Sequence, residues 1–346
     1  MPNTILTGIR ANGELHFGHY LGVILPMLQT QSKLQSDDKM YMMIADLHSF
    51  ITPIDHSQLY ANVLQVVKIC LASGLGINST NPASIFRQSF VPAHSELAWL
   101  LSCFTYTGEM SRMIQFKEKS QNSSASVGLF SYPILQAADV LLYDAEWVPV
   151  GEDQQQHLEI MRDIAIRINN KFESEIFMLP QTLEKQLNFF ELDKAVRIRS
   201  LANPSEKMSK SISDPKGTIL LIDRPQDAAK KIMSATTDSL SNIKWDIENQ
   251  SGITNLLQIL LSLTGKTQAQ IELEWTGKSN YGDLKKVVAQ EVEKFLIQFQ
   301  KKLDQVDPSI IEEVLASGEA AANLKSNMTL QRFQRILGLK EPAKAG

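Results

Sequence analysis

Cysteine is nearly missing from this 346-residue chain, which holds only Cys70 and Cys103. Two thiols so far apart supply neither a disulfide framework nor a zinc ligand set, and the usage fits a reducing cytoplasm. No apolar run is long enough to cross a bilayer. Met1-Pro2-Asn3 leads straight into an apolar strand signal, so no secretory leader is read. An excess of positive charge is also lacking: 34 Lys and Arg stand against 38 Asp and Glu, a net charge of −4. That excludes a sticky, sequence-blind nucleic-acid binder but leaves room for RNA on a local basic face. Internal repeats and low-complexity tracts are absent. What remains is the composition of a soluble cytoplasmic protein with no membrane partner. With 43% hydrophobic residues it can bury a sizeable core, and its length suits two domains.

The first half alternates short apolar runs with helical periodicity. Thr4-Ile5-Leu6 reads as a strand, followed by a turn at Gly8, Asn12 and Gly13 and a helix from about Gly18 to Leu28. Met40 to Ala45 suits a strand buried on both faces. Val63, Val66, Val67, Cys70 and Leu71 give helical spacing between Tyr60 and Ala72, and Ser84 to Gln88 is the next strand. A β-α-β-α-β order predicts an α/β protein with a Rossmann-like doubly wound parallel sheet, whose ligands bind beyond the carboxyl ends of the strands. Residues from about 92 to 194 read as a mostly helical insert, with Pro133 suited to a helix first turn and a polar loop at Ser120 to Ser126. A strand is expected at Val196-Arg197-Ile198. Beyond Asp223 the chain is all helical, with apolar stripes at Leu256, Leu257, Leu260 and Leu261, and at Leu284, Val287, Val288, Phe295, Leu296 and Phe299. The expected division is a catalytic domain over 1–222 and a helical region over 223–346 ending in a short frayed tail.

Two loops almost 190 residues apart carry the chemistry. The first, His16-Phe17-Gly18-His19, follows the first strand and opens a helix. The second, Lys207-Met208-Ser209-Lys210-Ser211, follows the strand expected at Val196-Arg197-Ile198. Two imidazoles near a helix N-terminus and two lysines can collect a triphosphate. Gly18 lets a base or ribose approach bare backbone. Lysine suits a mobile loop because its point charge follows phosphate oxygens without a fixed fork geometry. Alone, each stretch has an ordinary reading: surface histidines at i, i+3, and a solvated basic turn. Together they point to a nucleotide-activating enzyme, with His16, His19, Lys207 and Lys210 as its catalytic side chains.

At these residues the chain resembles the class I aminoacyl-tRNA synthetases, and among them the bacterial tryptophanyl group. His16 to His19 looks like the family's HIGH signature, and Lys207 to Ser211 matches its KMSKS signature letter for letter. Four further stretches narrow the likeness: Gln115 to Ser120, Tyr132 to Asp139, Val148 to Gln154, and Thr237-Asp238-Ser239. The similarity covers residues 4 to about 260.

The resemblance implies that tryptophan is activated by ATP, with Mg²⁺ accompanying the nucleotide and no protein-bound metal. Transfer to tRNA(Trp) follows, in a homodimer whose helical region over 223–346 binds the anticodon. It assigns ATP contacts to Arg10, Ala11, Asn12, Gly18, His19, Gly151, Glu152, Asp153, Ile198, Lys207, Met208, Ser209, Lys210 and Ser211. A phosphate contact by Lys119 would be additional. The amino-acid pocket is implied at Leu6, Gly8, Tyr132, Gln136, Asp139, Val148, Val150 and Gln154, with Asp139 accepting from the indole N–H. A carboxylate in an apolar pocket demands a donor, and an amino acid without one leaves it unpaired. Trp99 and Met113 fall in the insert that forms the family's dimer interface. Tyrosyl-tRNA synthetases place Gln and Asp at the spacing of Gln136 and Asp139, so tyrosine–tRNA ligase is the nearest alternative. Leu6 and Arg10 stand where tyrosyl enzymes have Tyr and Asp. A small nucleotidylyltransferase would not need the lysine loop, and a non-catalytic tRNA- or tryptophan-binding paralogue would not need both basic loops intact.

Overall fold

The computed structural model describes residues 2–76, 83–114, 116–117, 126–149, 154–190, 197–209 and 215–341. Strands β1 (Thr4–Ile9), β2 (Lys39–Ile44) and β3 (Ser84–Arg87) pair in parallel in the order β1-β2-β3. Ile5 faces Met40 and Met42 faces Ile85 across the ladders. The chain then returns to the far edge of β1, where Trp147 bridges Ile5 in parallel and the Leu6 N–H donates to the Trp147 carbonyl at 3.0 Å. Strand order therefore reverses at β1, which puts a ligand crevice beyond its carboxyl end.

The residue alternation of β2 explains the layering. Met40, Met42 and Ile44 lie in a core with Ile5, Ile9 and Ile85. Helix α3 (His56–Ser73), helix α10 (Ser251–Thr264) and helix α12 (Tyr281–Asp304) complete it through Val66, Leu256 and Leu296. Tyr41, Met43 and Ala45 face the opposite way, into a second core with Leu6 and Phe86. That side is closed by α4 (Ala93–Ser102), α6 (Val127–Leu141) and α7 (Gln155–Lys171). Each fully buried large apolar side chain contributes roughly 1.5–3 kcal/mol. The apolar stripes expected after Asp223 are the buried faces of α10 and α12, with Leu261, Val287 and Phe295 partly buried at the margin.

The last helix, α13 (Pro308–Ile336), lies against β3. A Cβ built on Gly318 would fall 1.9 Å from the Ile85 carbonyl oxygen, so only glycine permits this approach. An edge strand that would otherwise present unpaired backbone is covered. The helix is pinned by Glu319 on Arg87 at 2.5 Å and by Lys325 and Arg332 on Asp144 at 2.5 and 2.7 Å.

Three local expectations change. Pro133 lies inside α6 rather than at its start, because Ser126 caps the helix by accepting from the Leu129 N–H at 3.1 Å. Burial of Leu129 and Tyr132 on the turns before it outweighs the proline. Of the strand expected at Val196-Arg197-Ile198, Val196 lies outside the described residues and Arg197 and Ile198 do not extend the parallel sheet; the chain doubles back so that Arg199 bridges Lys207 in antiparallel sense. The helix expected from Gly18 to Leu28 runs as α1 (Phe17–His19), a π-helical stretch (Tyr20–Ile24) and α2 (Leu25–Lys33). Proline at position 26 has no N–H for the regular ladder, and π-bulges of this kind cluster at functional sites. Of the polar loop, only Ser126 is among the described residues, as are residues 340 and 341 of the tail.

Candidate active site

The first turn after β1 is held by a distant part of the chain. His16 bridges Leu220 in antiparallel sense, the Phe17 N–H donates to the Ile219 carbonyl at 2.8 Å, and the Leu221 N–H donates to the Leu15 carbonyl at 3.1 Å. His16 is 4% exposed, and its ring centroid lies 3.8 Å from that of His19. The His16 N–H donates to His19 Nδ1 at 3.3 Å, which leaves the His19 proton on Nε2, free to donate. His16 Nδ1 is buried with no hydrogen-bond partner. Buried polar atoms are normally satisfied, so an orphan at this place asks for a ligand. Burial, then the charge of Lys207, pull His16 down to about 4. Burial, then His16, Lys207 and Arg10, pull His19 down to about 3. Both rings are therefore neutral donors or acceptors at neutral pH.

The lysine loop reaches the same place. Residues 198–208 fold back on themselves: the Ser200 N–H donates to the Glu206 carbonyl at 2.9 Å and the Met208 N–H to the Ile198 carbonyl at 3.0 Å. Asn255 on α10 clamps the base, accepting from the Arg199 N–H at 2.8 Å and donating to its carbonyl at 3.0 Å. Met208 is buried while Lys207 is exposed, and Thr218 donates to the Ser209 carbonyl at 2.9 Å. A Cβ on Gly18 would stand 3.0 Å from the His16 ring and 3.7 Å from Met208 Cβ. The sequence reading gave Gly18 a role toward ribose; its absent side chain also makes room for His16. Lys210 and Ser211 lie outside the described residues.

Asp139 lies 1% exposed at the heart of a polar cluster. His48 Nε2 donates to Oδ2 at 2.7 Å, while Gln88 Nε2 at 2.7 Å and His94 Nδ1 at 2.6 Å both donate to Oδ1. His94 Nε2 lies 2.9 Å from the Tyr143 hydroxyl. Burial alone would raise the Asp139 pKa; His48 and His94 overcome it and hold the carboxyl below its ordinary range. An ionised carboxylate offers about four acceptor sites. Three are filled here, which leaves one on Oδ2. The sequence reading missed His48, Gln88, His94 and Tyr143. Gln88 follows directly on β3, and its Oε1 is buried without a partner. A polar residue at the end of an apolar strand was the available signal.

Other expected residues divide. Leu6 and Gly8 are two apart on β1 and share a face; Leu6 is buried and Gly8 exposed. Tyr132 is buried, its hydroxyl 2.7 Å from His157 Nε2, and it feels the charge of Arg10. The exposed Arg10 thus acts on both Tyr132 and His19. Ala11 is wholly buried, backbone included, and Asn12 donates to Thr52 Oγ1 at 3.3 Å. Ile198 is buried, and its carbonyl already accepts from Met208. Val148 is buried and its N–H donates to Gln186 at 2.9 Å. Gln136 is half-buried on α6, and Gln154 precedes α7. Val150, Gly151, Glu152, Asp153 and Lys119 lie outside the described residues. Met113 is buried, whereas Trp99 is 70% exposed. Asp238 accepts from Tyr281 at 2.5 Å and Gln250 at 3.1 Å, which ties the starts of α12 and α10 together.

A reversed parallel sheet, with paired imidazoles in its first turn and a lysine loop packed on them, defines a class I aminoacyl-tRNA synthetase. Residues 1–297 match the family model of the tRNA synthetases class I (W and Y), and the chain belongs to this family. A tryptophan–tRNA ligase of Malacoplasma penetrans is 41% identical over 343 residues, 97% of this chain and 98% of that one. One of Caldanaerobacter subterraneus subsp. tengcongensis is 41% identical over 336 residues, again 97% and 98%. The solved tryptophanyl-tRNA synthetase of Mycoplasma pneumoniae superposes with a TM-score of 0.84 at 33% identity, over 98% of this chain and 99% of that one. That of Campylobacter jejuni, complexed with ADP and tryptophan, gives 0.73 at 31% identity over 97% and 99%. Within the family this chain groups with the bacterial tryptophanyl-tRNA synthetases.

Proposed function

We propose that this chain is a tryptophan–tRNA ligase whose two half-reactions take place beyond the carboxyl end of β1. A tryptophan carboxylate oxygen attacks the α-phosphorus of ATP and pyrophosphate leaves. A terminal ribose hydroxyl of tRNA(Trp) then attacks the adenylate carbonyl and AMP leaves. Such transfers need positioning and charge stabilisation more than covalent help. His19 Nε2–H donates to a phosphate oxygen, and the unpartnered nitrogen of His16 takes another once the polyphosphate arrives. Lys207 and Lys210 neutralise the departing pyrophosphate, with Met208, Ser209 and Ser211 shaping their loop. Arg10, Ala11, Asn12, Gly18, Gly151, Glu152, Asp153 and Ile198 line the nucleotide, with Lys119 as an outer phosphate contact. Leu6, Gly8, Tyr132, Gln136, Val148, Val150 and Gln154 surround tryptophan, and the remaining acceptor site on Asp139 takes its indole N–H.

Magnesium enters with the nucleotide. Among the described residues no group of three or more His, Cys, Asp or Glu side chains is placed to hold a metal ion. The proposed donors are the phosphates of ATP, where Mg²⁺ would supply charge neutralisation. No helix among the described residues is long and apolar enough to cross a membrane, and a cytoplasmic place is proposed. A homodimer is proposed through the insert at 92–194, with exposed Trp99 at its surface. The proposed division keeps 1–222 catalytic and 223–346 anticodon-binding.

The observation that carries the reading is the pairing of residues 15–17 with 219–221 beside the close approach of Gly18 to Met208, which brings the two neutral imidazoles and the charge of Lys207 together. ATP–pyrophosphate exchange tests it. Exchange should depend on tryptophan and not on tyrosine, and exchange with tyrosine alone would remove the assignment.

A further inference from the structure

Thr218 and Ile219, neighbours in the chain, direct their hydrogen bonds at different loops. The Ile219 carbonyl accepts from the Phe17 N–H at 2.8 Å, and the Leu221 N–H donates to the Leu15 carbonyl at 3.1 Å, so His16 is held from both of its neighbours. On the lysine side, the Leu201 N–H donates to the Gly217 carbonyl at 2.9 Å. The Thr218 hydroxyl donates to the Ser209 carbonyl, also at 2.9 Å. That carbonyl belongs to the peptide leading to Lys210. Thr218 is only 6% exposed, so water competes little for its bond. The segment is itself locked. Lys231 on α9 (Pro225–Met233) donates to the Thr218 carbonyl at 2.8 Å and to Asp223 Oδ2 at 2.7 Å. The same Asp223 oxygen accepts from the Leu220 N–H at 2.9 Å. Gln300 on α12 donates to the Leu221 and Asp223 carbonyls at 3.0 and 2.8 Å. One helical turn or so earlier, the Phe295 ring stands edge-on to Phe17 with centroids 5.3 Å apart.

We infer that Thr218 is a positioning residue for adenylate formation: its hydroxyl sets the lysine loop against the imidazole turn, and Lys231 and Gln300 hold its segment in place. This rests on the reading of the two loops as the site of the ATP phosphates. Between the bond to Ser209 and the bond to Phe17 stands a single planar peptide unit, about 3.8 Å from Cα to Cα. The separation of the two loops is therefore fixed by two hydrogen bonds and one rigid link. Lysine side chains are long and bend easily, so an accurate charge position has to come from the backbone that carries them. Replacing the hydroxyl by a methyl group removes that donor from the Ser209 carbonyl and lets the peptide before Lys210 turn. Tryptophan selection should be spared. Ile219 and Leu221 pack in the core on one side of the sheet, whereas α6, which carries Asp139, closes the other.

Single-turnover adenylate formation tests this in the full chain with Thr218→Val, Thr218→Ser, Lys210→Ala and the double variant Thr218→Val, Lys210→Ala. Thr218→Val should slow the step about tenfold, short of the roughly 10²-fold cost of a 1 Å misplacement, with KM for tryptophan unchanged. Thr218→Ser keeps the hydroxyl and should run at the parent rate. In the Lys210→Ala background, Thr218→Val should add less than about a further twofold, because two changes acting through one group are not additive. If Thr218→Val fails to fold, as thermal melting reports, Thr218→Ala takes its place in each comparison. Three results would overturn this inference alone, provided that Lys210→Ala is itself slow: the parent rate in Thr218→Val, equal slowing in Thr218→Ser, or a full tenfold loss in both backgrounds. The parent rate in Lys210→Ala would overturn the reading of the lysine loop as well.

Discussion

Gly18 and Met208, 190 positions apart in the chain, lie against each other: a Cβ on Gly18 would touch Met208 Cβ at 3.7 Å and the His16 ring at 3.0 Å. The imidazole turn and the lysine loop therefore share one wall. Gly18→Ala keeps the helix but displaces the His16 ring or the lysine loop by a few tenths of an ångström. Adenylate formation should fall about 10²-fold, since small misplacements at a reacting centre cost that much. Single-turnover ATP cleavage beside a thermal melt separates this from unfolding; normal turnover would show that the contact is incidental.

Lys207 and Lys210 are assigned to the leaving pyrophosphate. Lys210→Ala and Lys207→Ala should each slow adenylate formation roughly 10²-fold, the size of losing one charge-stabilising group. Equilibrium binding of tryptophan should change little, because both side chains act on the phosphates. Exchange at the wild-type rate in Lys210→Ala would remove it from the leaving-group role.

Asp139 is structural as well as selective. Asp139→Ala leaves the donors of His48, Gln88 and His94 without their acceptor and should cost about 3–5 kcal/mol of stability. Tryptophan-dependent exchange should vanish while ATP binding persists. Urea unfolding and nucleotide titration read the two effects, and an unaltered unfolding midpoint would contradict the burial of a paired charge.

The paired histidines predict an acid-side loss of stability. An unfolded histidine titrates near 6.5, but folded His16 and His19 sit at about 4 and about 3. Between those values the unfolded chain binds more protons, so stability falls as pH drops below about 6.5. Asp139 acts in a lower window, its contribution being lost as pH falls below the ordinary carboxylate range. The double variant His16→Asn, His19→Asn should lose less stability between pH 7.5 and pH 5. Urea midpoints at those two pH values give the comparison; equal losses would mean the rings are not held neutral by the fold.

Gly318→Ala tests the seat of the last helix. A Cβ would stand 1.9 Å from the Ile85 carbonyl oxygen, a backbone atom that cannot rotate aside. Stability should fall by about 3 kcal/mol or more, beyond ordinary core overpacking, and amides of β3 should exchange faster. Protection equal to the parent chain would mean that α13 does not cover β3 in solution.

Much of the fold is legible in the sequence because its determinants are local. Apolar runs at Met40 to Ala45 and Ser84 to Arg87, separated by helical spacing, specify a parallel sheet without reference to anything distant. Pro133 misleads because its rule concerns the first turn alone, whereas Ser126 starts that helix seven residues earlier. Arg197-Ile198 misleads because a short apolar stretch pairs with whatever the turn beyond it brings back, here Lys207. The partners of Asp139 are silent in sequence because they lie 91, 51 and 45 residues away, on three other segments.

By itself, then, the order of residues determined the kinds of chemistry present: imidazoles at a helix start, lysines on a loop, a carboxylate on an apolar helix. Those are properties of short contiguous stretches, each with its own local physics. Only the tertiary structure decided that the two basic loops touch, that three donors hold Asp139 ionised, and that a glycine near the C-terminus seats a helix on β3. Those outcomes depend on close packing between segments far apart in sequence, where one missing Cβ sets the distance.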